Sequence, residues 1–257
     1  MYFNEKVVII TGASSGIGAA CAVSFARSSV FLSLVGRNVN NLTKVAHQCK
    51  QINGINPLVI TADVSSQDDI KKIVQDTVNH YGRIDILVNN AGVSSIAGSR
   101  DKISAYDYVI ATNLRGTYLL TNEALPHLIK TKGNVVNVSS VLSNKPLPIM
   151  TPYCMSKAAI DMFTKCAALE LGSQGVRVNA VNPGPVKTEL FRRGGMSDAE
   201  ADIMFSCIEA SSPLKKLTKG DDVAELVMFL ASDKASCITG CCYIIDSGLL
   251  LGDARNC

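Results

Sequence analysis

Apolar residues in this chain come in short, nearly continuous runs at 7–10, 30–35, 57–60, 84–88, 134–138, 176–181 and 242–245. Such runs read as strands buried on both faces, the pattern of a parallel sheet. Between them lie polar or amphipathic segments, such as 39–50 and 68–80, that are long enough for crossover helices. Regular alternation of strand and helix predicts an α/β protein. With right-handed crossovers, that means a doubly wound, mostly parallel sheet with helices on both faces, in a single domain spanning 1–257. Its ligand crevice is expected along the carboxyl ends of the strands.

Gly12, Arg37, Asp63, Asn90, Ser140 and Pro183 each fall immediately after a predicted strand, so one edge of the sheet is expected to collect the chemistry. One segment, 187–216, breaks the rhythm. It holds Arg192, Arg193, Gly194 and Gly195, a helical stretch at 197–208, and then Pro213. Leu190, Phe191, Met196, Ile203, Met204, Phe205 and Ile208 give it more apolar surface than a solvated loop needs. A lid over a substrate pocket is one expectation. A surface excursion, or a patch packed on another subunit, is the alternative.

Composition narrows the classes. The chain has 257 residues, 47% hydrophobic and 18% charged, which suits one large core. A net charge of +3 with no run of lysine or arginine gives nucleic acid no footing. The first strand begins after six residues, leaving no space for a signal peptide, and no apolar run reaches the length of a membrane span. The C-terminal Arg255, Asn256 and Cys257 match neither a prenylation box nor a peroxisomal signal. The expected compartment is therefore cytoplasmic. Nine cysteines form no C-x-x-C, and three histidines (His47, His80, His127) are scattered, so neither a metal nor a disulfide framework is expected. The thiols are expected to be reduced. Cys154 stands out only because it is next to Tyr153.

Two motifs carry chemistry. Thr11, Gly12, Ala13, Ser14, Ser15, Gly16, Ile17 and Gly18 follow the first strand and precede a small-residue helical segment, 19–27. Strand, glycine turn and helix together form the dinucleotide-binding context of a Rossmann fold. Gly12 allows the tight turn, Gly16 lets pyrophosphate approach, and Gly18 lets helix pack on strand. The helix N-terminus offers N–H groups to the phosphates. The second motif is Tyr153 with Lys157 four residues on, one helical turn away on the same face. A phenol has a pKa of about 10, and a neighbouring ammonium favours the phenolate. Ser140 lies thirteen residues upstream of Tyr153.

Together these residues resemble the classical branch of the short-chain dehydrogenase/reductase family, and the resemblance covers nearly the whole chain. It includes Asp63 and Val64, Asn89 to Gly92, Asn113, Ser140, Tyr153, Lys157, and Pro183 with Gly184. It implies that Tyr153 is the acid in carbonyl reduction and the base in the reverse direction. Lys157 would lower the tyrosine's pKa and hold the nicotinamide ribose, and Ser140 would donate to the reacting oxygen. Family spacing selects Ser140; Ser139 and Ser143 remain the alternatives. Asn113 would complete the tetrad by positioning a water for proton relay, although bonding to a neighbouring backbone group is compatible with it. On the cofactor side the resemblance implies Ser14, Ser15, Ile17, Arg37, Asn38, Asp63, Val64, Asn90, Ala91 and Gly92. Asp63 would meet the adenine, or else serve as a turn former, and Asn90 would approach the adenine-side ribose. Pro183, Gly184, Val186 and Thr188 would hold the nicotinamide carboxamide.

The cofactor expected is NADP(H). No acidic residue occurs between Glu5 and Asp63, whereas sites that prefer NAD place one about twenty residues after the glycine motif. Arg37 instead stands ready for a 2′-phosphate; Ser15 replaces the basic residue that many NADP-using members carry. The substrate is expected to be a small-molecule carbonyl or alcohol of apolar character: a steroid, isoprenoid or other lipid-like ketone. Leu142, Pro185, Leu190, Phe191, Met204 and Phe205 are the expected walls. A 3-oxoacyl thioester reductase of the same family and a non-catalytic dinucleotide sensor are the alternatives. An extended-branch isomerase would need a longer C-terminal domain. Abundant apolar residues in helix 152–171 predict burial on several sides, and the resemblance implies a homotetramer that also uses the strand at 242–246.

Overall fold

The computed structural model describes residues 3–252; the C-terminal tripeptide read above lies outside them. Strand β1 (Val7–Thr11) leads into α1 (Gly16–Ala26), and β2 (Phe31–Gly36) into α2 (Val39–Asn53). Next come β3 (Leu58–Thr61), α3 (Gln67–Tyr81) and β4 (Ile86–Asn89). A long helical segment follows: α4 (Ile103–Ile110), a π-helical turn (Ala111–Gly116) and α5 (Thr117–Thr131). The chain continues through β5 (Asn134–Val138), α6 (Thr151–Leu171), β6 (Arg177–Pro183), α7 (Leu190–Arg193), α8 (Asp198–Ser211), α9 (Gly220–Ala231) and β7 (Cys242–Ile245).

All six pairings of the sheet are parallel, in the order β3-β2-β1-β4-β5-β6-β7. The strand order reverses between β1 and β4, and the crevice opens there. Strands β1 to β6 supply both cores by simple alternation. Val8 and Ile10 of β1 face the layer built from α1, α2 and α9, while Ile9 between them faces α3, α5 and α6. With apolar side chains on both faces, the strands show runs rather than alternation in sequence.

The predicted strands are recovered with no end moved by more than two residues. Helices start and stop where the side chains allow. Asn38 accepts from the Asn41 N–H at the start of α2, and Ser66 accepts from the Asp69 N–H at the start of α3. Gly54 and Gly82 end these helices in left-handed geometry. Buried polar residues link the layers: Asn89 donates to Thr121 and to Asn137, each at 2.9 Å, and Asn137 donates to Thr164 at 2.9 Å. The π-helical turn is pressed against the segment that follows β3. Gly116 within it lies so close to Val64 that a Cβ would come within 2.6 Å of the Val64 carbonyl oxygen. No helix among the described residues is long and apolar enough to cross a membrane.

Candidate active site

A cavity of about 1120 Å³ runs along the carboxyl edge of the sheet, from the turn after β1 to the segment that carries α7 and α8. One end is the glycine cradle. Gly12 and Gly16 both have positive φ, +65° and +55°, which only glycine adopts without strain. The first turn of α1 has no side-chain cap and no acidic residue, so its N–H groups are open to an anion. Ser14, Ser15, Gly16 and Ile17 line the cavity here.

Gly18 does not line it. A Cβ there would collide with the Asn90 amide and the Gly12 carbonyl, so this glycine lies under the cradle and lets α1 press on β1. Asn90, expected at a ribose, is committed largely to that same junction. Its Nδ2 donates to Thr11 O at 2.8 Å and Gly12 O at 3.3 Å. The Thr11 hydroxyl in turn accepts from the Asn90 and Ala91 N–H groups, both at 3.0 Å. The turn is thus fixed before any ligand arrives.

Beyond the cradle, Arg37, Asn38, Asp63, Val64, Ala91 and Gly92 form the next stretch of wall. Asn38 has a second task as the cap of α2. The chain keeps acidic residues away from Arg37 in sequence, but folding brings one back: Arg37 Nη1 lies 3.4 Å from Asp63 Oδ2. Burial opposes the charge on Arg37, yet a hydrogen bond to Tyr108 and the field of Asp63 more than offset it, and its pKa rises. For Asp63, burial pushes upward, but the Ser65 N–H and hydroxyl and the Arg37 cation hold the carboxyl below its usual range. Tyr108, on α4, was not foreseen. Nothing local marks it, since only the tertiary fold brings α4 against the end of β2.

At the centre stand Ser140, Tyr153 and Lys157. The Lys157 ammonium lies 5.5 Å from the centroid of the Tyr153 ring and donates to Val138 O at 2.8 Å. Helical spacing on α6 sets the pair, and β5 ends where the ammonium needs a carbonyl. The Ser140 hydroxyl hydrogen-bonds the phenol and also accepts from the Leu142 N–H at 3.1 Å. Its competitors are engaged elsewhere: Ser139 donates to Lys157 O at 3.2 Å, and Ser143 donates to Ser140 O at 2.8 Å. Ser143 thus supports Ser140, and Ser139 ties the end of β5 to α6.

The charge states differ from simple pairing. Burial pushes the Tyr153 phenol up to about 12, with Ser140 pulling the other way, so the expected lowering by Lys157 does not prevail in this site. Burial also pushes the Lys157 ammonium down to about 8, while Asp161 counteracts. Asn113 sits in the π-helical turn, fully buried. Its Oδ1 accepts from Val93 N at 2.8 Å, and its Nδ2 donates to Val93 O at 2.9 Å and Ser156 Oγ at 3.1 Å. Its side chain therefore fixes the 91–93 strip, where Gly92 lies so near Lys157 that a Cβ would stand 3.7 Å from Nζ.

Pro183, Gly184, Pro185, Val186 and Thr188 continue the wall, and Leu142, Leu190, Phe191 and Met204 form its apolar end. Phe205 is a correction. It is 4% exposed and stands behind the wall, its ring 5.8 Å from that of Phe191 at 83°. On α8 the i, i+4 pair Ala201 and Phe205 faces inward, Met204 and Ile208 face the cavity, and Ile203 faces solvent. Sequence reasoning missed Ile96, Leu147 and Met150, which come from loops with no periodic signal. The segment is fastened to one of those loops: Ser94 Oγ donates to Leu190 O at 2.9 Å, and Ile96 N to Gly194 O at 3.1 Å. Among the described residues the cysteines are free, and no acidic, thiol and imidazole group of three is placed to hold a metal.

Residues 12–250 match the family model described as enoyl-(acyl carrier protein) reductase. A 3-oxoacyl-[acyl-carrier-protein] reductase of Thermotoga maritima is 37% identical over 254 residues, 98% of this chain and 100% of that one. Among solved structures, a short-chain dehydrogenase/reductase from Caenorhabditis elegans with cofactor superposes with a TM-score of 0.94. It is 31% identical, over 99% of this chain and 98% of that one. A 3-ketoacyl-(acyl-carrier-protein) reductase from Brucella melitensis complexed with NADH gives 0.87 at 31% identity, over 96% and 98%.

Proposed function

The chain belongs to the short-chain dehydrogenase/reductase family of oxidoreductases, and on that basis we propose that it interconverts the carbonyl and alcohol of an apolar substrate with NADP(H), Tyr153 being the acid and base. One observation carries the reading. Ser140, Tyr153 and Lys157 converge on a cavity that is continuous with an uncapped helix N-terminus and a preformed glycine cradle. The donor set fits a dinucleotide: open N–H groups for phosphates, Arg37 for a ribose phosphate, and Lys157 for ribose hydroxyls. A bound nicotinamide supplies or accepts the hydride.

The protein's own groups handle the proton. In reduction, the Ser140 hydroxyl holds the substrate oxygen and the Tyr153 phenol protonates it. The Lys157 ammonium stabilises the phenolate that remains. Leu142, Leu190, Phe191 and Met204 exclude water from the reacting oxygen, which strengthens those hydrogen bonds. The segment 187–216 acts as the lid. Arg37 sets a preference for NADP(H), of modest size because Asp63 already answers part of its charge.

A 3-oxoacyl thioester is a second substrate reading, favoured by the Thermotoga maritima relative. Turnover of a panel of steroid, isoprenoid and aromatic ketones and 3-oxoacyl thioesters with NADPH and NADH tests both. Hydrophobic ketones should be preferred. Thioester turnover above all ketones would select the second reading, and no turnover of any carbonyl would refute both.

We also propose a cytoplasmic homotetramer. Met155, Met162 and Leu169 recur every seven residues along α6, 50, 59 and 88% exposed, beside the Tyr118–Phe163 ring pair. Such a stripe fits burial against a second copy. The edge strand β7, with Ile244 exposed, fits a further contact. A monomer-sized scattering mass at micromolar concentration would refute the assembly.

A further inference from the structure

Tyr153, Lys157 and Asp161 recur every four residues and share one face of α6. The first two belong to the proton-transfer site; the third has no part in it so far. Asp161 is 8% exposed, one turn beyond the lysine. Its Oδ2 accepts from Asn182 Nδ2 at 2.8 Å. The same Nδ2 also lies 3.2 Å from Ser140 O and 3.0 Å from Ser143 Oγ. Asp161 Oδ1 and Asn182 Oδ1 are buried without a hydrogen-bond partner among the described residues. A carboxylate buried with so little solvation has reason to be retained beyond packing, because leaving polar groups unmatched costs stability.

We propose that Asp161 is a positioning residue for the proton-transfer site, its carboxylate keeping the buried Lys157 charged and, through Asn182, fixing the backbone that presents Ser140. The inference rests on the carbonyl-reducing reading above. Two paths leave one carboxylate. The first is a field along α6: burial lowers the Lys157 pKa to about 8, and Asp161 is the group that opposes this fall. The second is mechanical, running from Asp161 through Asn182 to the Ser140 carbonyl. Ser140 O also accepts from the Ser143 hydroxyl, so the turn is gripped from two sides.

Few other groups compete for that field. On α6, the titratable neighbours are Tyr153, Lys157 and Lys165. From β7, Cys242 Sγ lies 3.9 Å from the Asp161 carbonyl, and burial together with Asp161 holds that thiol up at about 11. A thiol so shifted stays neutral near pH 7. From β6 and the turn after β5, the facing groups are Asn182, Ser140 and Ser143, all uncharged. Lys157 and Lys165 thus stand one turn to either side of Asp161, and of the two only Lys157 is buried.

The test is the pH profile of ketone reduction in the full-length Asp161→Asn protein, a near-isosteric change that removes the charge and leaves one oxygen to accept from Asn182. The wild type should lose turnover as pH rises through about 8. In the variant that limb should move down by about one unit, a size typical of losing a nearby opposite charge. Turnover at pH 7.5 should fall about threefold on that shift, from titration arithmetic. The ketone KM, and NADPH affinity measured at pH 6.5, should not change. A profile superimposable on the wild type, with only thermal stability lowered, overturns the proposal.

Should Asp161→Asn fail to fold, Asn182→Ser leaves the carboxylate and cuts its link to Ser140. Turnover should then fall while the limb near pH 8 stays in place, and unchanged turnover overturns the proposal. Tyr153→Phe serves as the control in both arms. If wild-type turnover survives that change, the catalytic reading itself has failed; if it is lost while the Asp161 and Asn182 variants are silent, only the present inference has.

Discussion

The two ends of the cavity are built differently. At the cradle, backbone and side chains are locked to one another. Thr11, Gly12, Gly18 and Asn90 interlock so closely that neither glycine has space for a Cβ. At the segment 187–216, proposed as the lid, α7 is one turn long, α8 buries only Ala201 and Phe205 deeply, and Ile203 and Leu214 are 66 and 63% exposed. Surface ion pairs hold much of it, Lys187 to Asp202 and Arg192 to Glu189 and Asp198, and such pairs contribute little each. A site that accepts one invariant cofactor gains from preorganisation. A site that must admit and release a substrate gains from a weakly held wall.

That contrast can be broken by substitution, and the largest effects should lie at the rigid end. Lys157→Met should lower turnover about a thousandfold, within the range for general acid–base groups. It should also weaken NADPH binding and erase the fall in reduction above about pH 8, because that limb is the lysine losing its proton from a pKa lowered to about 8. A retained limb in kinetics of Lys157→Met would assign it to another group.

Gly18→Ala should come next. Its methyl has nowhere to go between Asn90 and Gly12, and overpacking of this kind costs about 1–3 kcal/mol. NADPH affinity, measured by fluorescence titration, should fall about tenfold on that basis, and an unchanged affinity would show that the cradle is softer than described. Arg37→Ala should cost NADPH about three- to tenfold and NADH almost nothing, since an exposed charge-assisted contact is worth little more. Equal loss for both cofactors would remove Arg37 from the 2′-phosphate. The smallest effect belongs to the lid. Phe205→Ala should raise the KM for a bulky ketone about fivefold by loosening Phe191, with NADPH affinity untouched, consistent with a locally unfolding element. A matching loss of cofactor affinity would mean that the two ends are coupled.

The same contrast explains what could be read in advance. The strands, the glycine turn and the Tyr153–Lys157 spacing are local patterns, so they survive in sequence. Ser140 emerged over Ser139 and Ser143 by family spacing, and the hydrogen bonds give each of the other two serines a supporting task. What stayed hidden depends on contacts between distant segments. Asp63 returns to Arg37 after 26 residues, and Tyr108 reaches Arg37 from a helix with no marking feature. The inward face of Phe205 needed the phase of α8, which a mostly apolar stretch does not reveal. The raised Tyr153 phenol needed its burial, because desolvation outweighs the neighbouring charge. Gly18 belongs with the legible part: its place in the glycine motif predicts close packing of helix on strand, and a Cβ there would meet Asn90 and Gly12.

The central claim is that the Tyr153 phenol moves the proton in a site whose cofactor end is already formed. Turnover of the best ketone by Tyr153→Phe, compared with the wild type at matched NADPH occupancy, tests it most directly. Turnover should fall by about a thousandfold or more, in the range for loss of a general acid, while NADPH affinity stays within about twofold, since the ring and its packing remain. Turnover near the wild-type value with intact NADPH binding would contradict the account.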